Sequence, residues 1–155
     1  MAEKLPLSKA AEYLLDECRM VLPGIQALFG FQLIAVFNST FTEKLSRGEQ
    51  QFHLLAIGMI AMAIAIIMTP AALHRHKGPN GVTETFVRVS SRLLVLSMLP
   101  LALGISIDFF LICRIIVEGQ LPYVLTAALA GIFMLLWFVL PRARGLQRII
   151  SGNSH

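Results

Sequence analysis

A carboxylate inside an otherwise apolar stretch is the side chain in this sequence best suited to chemistry. Asp108 lies within the apolar stretch 93–117, and Ser97 and Gly104 precede it at helical spacing, which gives that helix a polar or small face. Intramembrane carboxylates commonly mark ion or proton pathways. A paired structural carboxylate is the alternative, and the sequence leaves both interpretations open.

A second set of polar residues lies in and before the apolar stretch 20–41. Five of them follow one another at intervals of three or four residues and therefore share one helix face: Asp16, Arg19, Pro23, Gln26 and Gly30. An amide facing lipid is costly, so Gln26 and Gln32 are predicted to face protein or water, and Gly30 to lie at a helix contact. These residues line a polar path or serve helix packing.

Metal and cofactor chemistry is not indicated. His74 and His76 are two residues apart, and His53 is predicted near the opposite membrane face, so no pair suits axial ligation of a haem. The chain has no zinc spacing, phosphate loop or nucleophile–base pattern. We therefore expect no metal, no cofactor and no enzymatic activity.

Four apolar stretches must position these residues, roughly 20–41, 53–73, 93–117 and 121–140. Each supplies about 20 residues, enough for a helix to cross about 30 Å of hydrocarbon. Of 155 residues only 14% are charged and 56% are hydrophobic, with a mean hydropathy of +0.73. The prediction is an all-α fold, a four-transmembrane-helix bundle, with residues 1–155 forming one integral membrane domain.

A short N-terminal amphipathic helix is predicted over about 7–19. Apolar residues recur there at helical spacing, while Glu12, Asp16 and Arg19 form a polar flank. Such a segment can lie in the membrane interface, or it can simply extend the first span. In either case Asp16 and Arg19, three residues apart, can pair.

Basic residues are distributed unevenly between the two sides of the predicted bundle. Ten of the 13 Lys and Arg residues flank the N-terminus, the 73–93 connection or the C-terminus, and only Lys44, Arg47 and Arg114 fall on the other side. The positive-inside rule then predicts that both termini are cytoplasmic. The basic C-terminal tail is interpreted as an anchor to lipid headgroups, and no nucleic-acid partner is expected.

The chain resembles an uncharacterised bacterial family of small four-span membrane proteins, known only as a domain of unknown function. The resemblance rests on the segment 15–26, LDECRMVLPGIQ, on Leu28 and Phe29, and on the segment 70–75, PAALHR, and it covers most of the chain. It implies a bacterial inner-membrane location and carries no established activity.

Two functional interpretations stay open. In the first, the protein is a homo-oligomeric cation channel or a small transport protein, because amide oxygens and the carboxylate of Asp108 suit cations better than anions. In the second, it is a non-conducting structural or accessory subunit of a membrane complex. The expected partners are the lipid bilayer and either further copies of the chain or another membrane protein.

Overall fold

The computed structural model describes residues 6–77 and 83–142. In these ranges the elements are α1 (Leu7–Ala35), α2 (Ser39–Lys44), α3 (Arg47–Lys77), α4 (Glu84–Ile116) and α5 (Leu121–Met134). A π-helical turn, Leu135–Val139, and a 3-10 turn, Leu140–Arg142, continue α5. Within residues 6–77 and 83–142, four helices are long and apolar enough to cross a membrane. The protein is thus a multi-pass membrane protein with the predicted all-α architecture.

The first helix begins earlier and ends earlier than the predicted span. Residues 7–19 are the first turns of α1, so the amphipathic segment extends the first span and is not a separate element. The helix stops at Ala35, and the chain re-enters a helix at α2, where the Asn38 side chain accepts a 3.0 Å hydrogen bond from the Thr40 amide. This N-cap replaces the last turns of the predicted 20–41 span.

The third helix begins at Arg47, before the predicted apolar stretch 53–73. Ser46 and Glu49 form a capping box, in which the Glu49 carboxylate accepts hydrogen bonds from the Ser46 amide at 2.9 Å and from its hydroxyl at 2.7 Å. Because this cap satisfies free backbone donors, α3 begins at Arg47. His53 therefore lies in the second turn of a helix rather than at its start.

The other chain reversal that the structure describes is the tight turn between α4 and α5. Gly119 has φ +82°, a left-handed conformation that glycine adopts without a side-chain clash. Pro122 lies in the first turn of α5, where its missing amide hydrogen costs nothing. Both features suit the short connection between the predicted stretches 93–117 and 121–140. We call the end of the bundle that carries this turn and α2 the α2 end.

The contact between α3 and α4 is the closest in the bundle. A Cβ atom built on Gly104 would lie 2.7 Å from Ile60 Cγ1 and 3.0 Å from the Ala56 carbonyl oxygen, so only glycine fits there. Ala56 and Ile60 are fully buried. Ala61 and Ala65 have the small-residue spacing that permits close helix contact, but both are exposed, and a different face of α3 packs on α4.

Apolar side chains fill the middle of the bundle between α1, α3 and α4. The buried cluster contains Leu14 and Ile25 from α1, Ile60 and Ile67 from α3, and Leu101 from α4. The last helix contributes little to this core, since Pro122 is the only buried residue among 121–142. The core thus fixes three helices and leaves most of α5 on the outside.

Candidate functional site

Three helices bring Gln32, His53 and Asp108 into one hydrogen-bonded cluster. The Nδ1 atom of His53 lies 2.9 Å from Asp108 Oδ1, and its Nε2 atom lies 3.0 Å from the backbone carbonyl oxygen of Gln32. The side-chain amide of Gln32 donates to Asp108 Oδ2. We call these three residues the polar cluster.

The polar cluster lies one to two turns inside the α2 end. Gln32 belongs to the last turn of α1, His53 to the second turn of α3, and Asp108 precedes the end of α4 by two turns. On a helix this places Asp108 about 12 Å from the end of α4. All three residues lie within apolar, membrane-spanning helices.

The cluster is nearly removed from solvent. His53 and Gln32 are 6% and 4% exposed, and the Asp108 side chain is 15% exposed. Burying polar groups is unfavourable unless they are hydrogen-bonded, and here each residue satisfies the others. The amide oxygen of Gln32 is the exception, because it is buried and has no hydrogen-bond partner among the described residues.

The His53 ring lies between two oxygen atoms, so the hydrogen bonds that it makes depend on the protons that the His53–Asp108 pair holds. A neutral imidazole has one N–H and can donate to only one of the two oxygens. Both contacts are hydrogen bonds if His53 is an imidazolium that donates to both, or if Asp108 carries the proton and donates it to Nδ1 while Nε2 donates to Gln32. These two forms contain the same number of protons and are neutral overall.

The end of α1 contacts the His53 ring. The carbonyl of Gln32 lies in the last turn of α1, where backbone carbonyls commonly need partners from outside the helix. Its contact with His53 Nε2 at 3.0 Å links α3 to α1 at the polar cluster.

A cavity of about 330 Å³ borders the polar cluster. It is bounded by α1, α4, the α2 segment and the start of α3, and its wall is mostly apolar. The lining residues are Leu28, Phe31, Gln32, Ala35, Asn38, Thr40, Phe41, Leu45, His53, Asp108, Leu111, Ile112 and Ile115. Within this lining, His53 and Asp108 are the only ionisable side chains, so the chemistry of the cavity is concentrated on that pair.

Comparison with protein families assigns the chain to one family. Residues 5–141 match the model of a family of unknown function, DUF6328. The chain belongs to this family. No curated protein and no solved structure matches it. The match agrees with the resemblance seen in the sequence, and the family brings no activity with it.

The sequence singled out two members of the polar cluster and missed the third. Gln32 is buried against protein, as predicted, and Asp108 is paired. His53 was assigned only to one membrane face and received no role. Its signal is present in the sequence, because His53 begins a series at intervals of three and four that continues through Ala56 and Ile60, the buried face of α3.

Gln26 and Gly30 lie elsewhere. Gln26 is exposed on the surface of the single chain, and a Cβ atom on Gly30 would have no neighbour within 4 Å. The exposure of Gln26 and the open space beside Gly30 do not show the predicted contacts within one copy of the chain, so both stay predictions. The physical reason for the exposure of Gln26 is the rotation of α1, which turns Ile25 and Gln32 inward and so turns Gln26 outward.

Asp16 and Arg19 pair as predicted, at the opposite end of α1. Arg19 Nη1 lies 3.4 Å from Asp16 Oδ1, and both side chains are more than half exposed. With Glu12 and His74 they border a separate hollow. They lie far from Asp108 along the bundle, so Asp16 and Arg19 do not form one site with the polar cluster.

A tight metal centre is not formed by the residues that the structure describes. Among them, no group of three His, Cys, Asp or Glu side chains comes together in a way that could hold a metal ion. The polar cluster contains one imidazole, one carboxylate and one amide. This set is suited to holding a proton between two groups and to presenting a carboxylate to a cation.

Proposed function

We propose that this protein is a small proton-linked transport protein in which His53 and Asp108 bind and release the coupled proton. The observation that carries the proposal is the position of both His53 ring nitrogens against oxygen acceptors at the wall of a cavity. A buried pair that shares a proton beside an open volume can exchange that proton for another cation.

Loss of the shared proton would alter the packing of α1. Without it, a neutral His53 next to a charged Asp108 has one N–H for two acceptors, so one hydrogen bond is lost. If Nδ1 keeps its hydrogen for the carboxylate, Nε2 turns a lone pair toward the Gln32 carbonyl. The groups that face His53 are Asp108 on α4 and Gln32 on α1, while Glu49 and Arg114, one turn or more toward the α2 end, pair with each other at 3.2 Å. Release of the proton thus weakens the α1–α3 contact.

A carrier fits the packing of one chain better than an open pore. Below the cavity, the side chains of Ile60, Ile67 and Leu101 fill the space between the helices. A solute in the cavity would need a rearrangement of α1 to go further. The same filled centre supports the second candidate, a non-conducting accessory subunit in which the polar cluster only holds the helices together.

The assembly and the orientation are also part of the proposal. The outward face of α5 is apolar, which suits either lipid or a second copy of the chain, and a homo-oligomer is expected. The excess of basic residues supports an orientation with both termini in the cytoplasm of a bacterium and the α2 end outside its inner membrane. The native mass in lipid nanodiscs tests the first expectation. Single-cysteine variants at positions 47 and 75, labelled from each side of the membrane, test the second expectation.

Transport is tested with purified protein in liposomes that contain a pH-sensitive dye. An outward gradient of Na⁺, K⁺ or a phenylalkylammonium ion is imposed, and proton entry is followed. The wild-type protein is expected to acidify the interior faster than protein-free liposomes for at least one of these cations. Asp108→Asn is expected to lower the rate to that of protein-free liposomes, because the amide cannot exchange a proton.

Asp16→Asn is the matched control, since it makes the same chemical change on an exposed residue outside the polar cluster. It is expected to retain the wild-type rate. If no cation gradient moves protons through the wild-type protein, the transport proposal is overturned and the accessory-subunit function is the better one. If Asp108→Asn and Asp16→Asn lowered the rate of acidification equally, Asp108 would have no specific role in transport.

A further inference from the structure

The cavity beside the polar cluster has a mouth on the side of the bundle. Phe31 on α1 and Ile112 on α4 line it and are 70% and 54% exposed, although both lie in the apolar part of membrane-spanning helices. Exposed surface at that level faces hydrocarbon in a bilayer. A molecule that enters between these side chains comes from the lipid, so it must itself partition into lipid.

The interior of the cavity combines an apolar wall with a polar end. Part of the wall is formed by Leu28, Leu111 and Ile115. The polar end contains the two ionisable side chains of the lining, Asp108 and His53. Apolar walls favour ligands with an apolar body and a small number of polar contacts. The volume of about 330 Å³ admits a small organic molecule but not a lipid.

The charge of the ligand follows from the proton count. With its shared proton the His53–Asp108 pair is neutral, and after proton loss it carries one negative charge that is buried and lacks a counter-ion. A cation that replaces the proton restores neutrality. Two further features favour a cation: the unpartnered amide oxygen of Gln32, which is 4% exposed, and the aromatic faces of Phe31 and Phe41 in the lining.

We propose that this cavity binds a lipophilic organic cation, which enters from the bilayer between α1 and α4 and takes the place of the proton on the His53–Asp108 pair. This inference rests on the proposed transport function and names its substrate class. The exchange is balanced in charge: one monovalent cation enters the site and one proton leaves it to water. No covalent bond of the ligand changes.

Binding is tested with the full-length protein in nanodiscs and with (3-phenylpropyl)trimethylammonium as the probe. This ion has a permanent charge and no proton of its own, so any proton released comes from the protein. Its neutral carbon isostere, (4,4-dimethylpentyl)benzene, is the matched ligand. Calorimetry in two buffers of different ionisation enthalpy measures both affinity and proton release, with empty nanodiscs subtracted. The cation is expected to bind with release of a proton, and the isostere to bind about tenfold more weakly or worse.

Two pairs of variants locate the site. Asp108→Asn is expected to weaken cation binding by about tenfold or more and to abolish proton release, whereas Asp16→Asn changes neither. Ile112→Trp adds bulk at the mouth of the cavity, leaves both residues of the charged pair unsubstituted and is expected to weaken binding. Ile116→Trp, one turn further on α4 and outside the lining, is the control for the added bulk.

Several outcomes separate this inference from the proposed function. Proton-coupled movement of Na⁺ or K⁺ without binding of the organic cation overturns the inference and leaves the transport function standing. Binding with proton release but without transport in liposomes supports the ligand class and overturns the transport function. Binding that is unchanged in both Asp108→Asn and Ile112→Trp, with the variants folded by circular dichroism, places the ligand elsewhere and overturns the inference.

Discussion

The α3–α4 interface contains two adjacent regions of opposite character. In the middle of the bundle, Gly104 lies against Ile60 and Ala56 with no space for a methyl group. One helical turn closer to the α2 end, His53 and Asp108 face each other through a hydrogen bond, and a cavity opens beside them. The same two helices thus form a dry, close contact and a polar, partly open one.

The two regions depend on each other. Antiparallel helices that meet at a glycine are held at a fixed distance and rotation, and this places the side chains one turn away in a fixed register. In that register the Nδ1 and Oδ1 atoms of His53 and Asp108 come within 2.9 Å. The apolar contact thus sets the distance and register of the two helices, whereas the polar cluster contains the ionisable side chains.

Breaking the polar region is expected to have the largest effect. His53→Ala removes the partner of Asp108 and of the Gln32 carbonyl and leaves polar groups buried among apolar helices. We expect a loss of about 3–5 kcal/mol in the free energy of unfolding, the range for breaking a buried ion pair. Equilibrium unfolding by SDS in bicelles measures it.

His74→Ala is the matched control, because His74 is a half-buried histidine on the same helix whose ring lies 5.9 Å from that of Phe86. It is expected to cost clearly less. Equal losses of unfolding free energy in His53→Ala and His74→Ala would show that the polar cluster makes no special contribution to stability.

Breaking the apolar region is expected to have the next largest effect. In Gly104→Ala the new methyl group meets Ile60 Cγ1 and the Ala56 carbonyl, so the helices must move apart or Ile60 must change rotamer. Overpacking of this kind costs about 1–3 kcal/mol in the free energy of unfolding. The measurement is the same SDS titration.

The control here is Gly131→Ala, since a Cβ atom at Gly131 has no neighbour within 4 Å. Alanine is the better helix former, so this variant is expected to be neutral or slightly more stable. If Gly131→Ala lowered the free energy of unfolding more than Gly104→Ala did, the close α3–α4 contact would not be what sets the helix spacing. If Gly104→Ala also weakens proton exchange, the link between the two regions is supported directly.

The smallest expected effect distinguishes two glutamines on one helix. Gln32→Leu removes the amide that donates to Asp108 and is expected to cost on the order of 1 kcal/mol in the free energy of unfolding. Gln26→Leu makes the same change on the exposed face of α1 and is expected to be neutral or stabilising in lipid. A loss at Gln26 larger than that at Gln32 would indicate that the exposed face of α1 contacts a partner in the membrane.

Periodicity explains why part of the fold could be predicted from the sequence. Hydropathy and helix length are local properties, so four spans and an all-α membrane fold follow from the order of the residues alone. The pairing of Asp16 with Arg19 is equally local, because three residues on a helix always bring two side chains to one face. The Val117–Pro122 turn follows from glycine and proline in the same way.

The polar cluster could be predicted only in part. An intramembrane carboxylate and two amides are unusual enough to attract attention individually, which indicates Asp108, Gln32 and Gln26 without showing which of them meet. The spacing of His53, Ala56 and Ile60 places His53 on the buried face of α3, but its partners lie 21 and 55 positions away in the chain. No local pattern identifies those partners.

The sequence by itself determined the composition of the helices, their number and the polar residues that a membrane protein must place with care. The tertiary structure alone decided which of those residues meet. That choice depends on the rotation of α1, which brings Gln32 inward and leaves Gln26 outside, and on the α3–α4 register set at Gly104. Rotation and register are properties of packed pairs of helices, because the shape of each surface selects the partner that fits it.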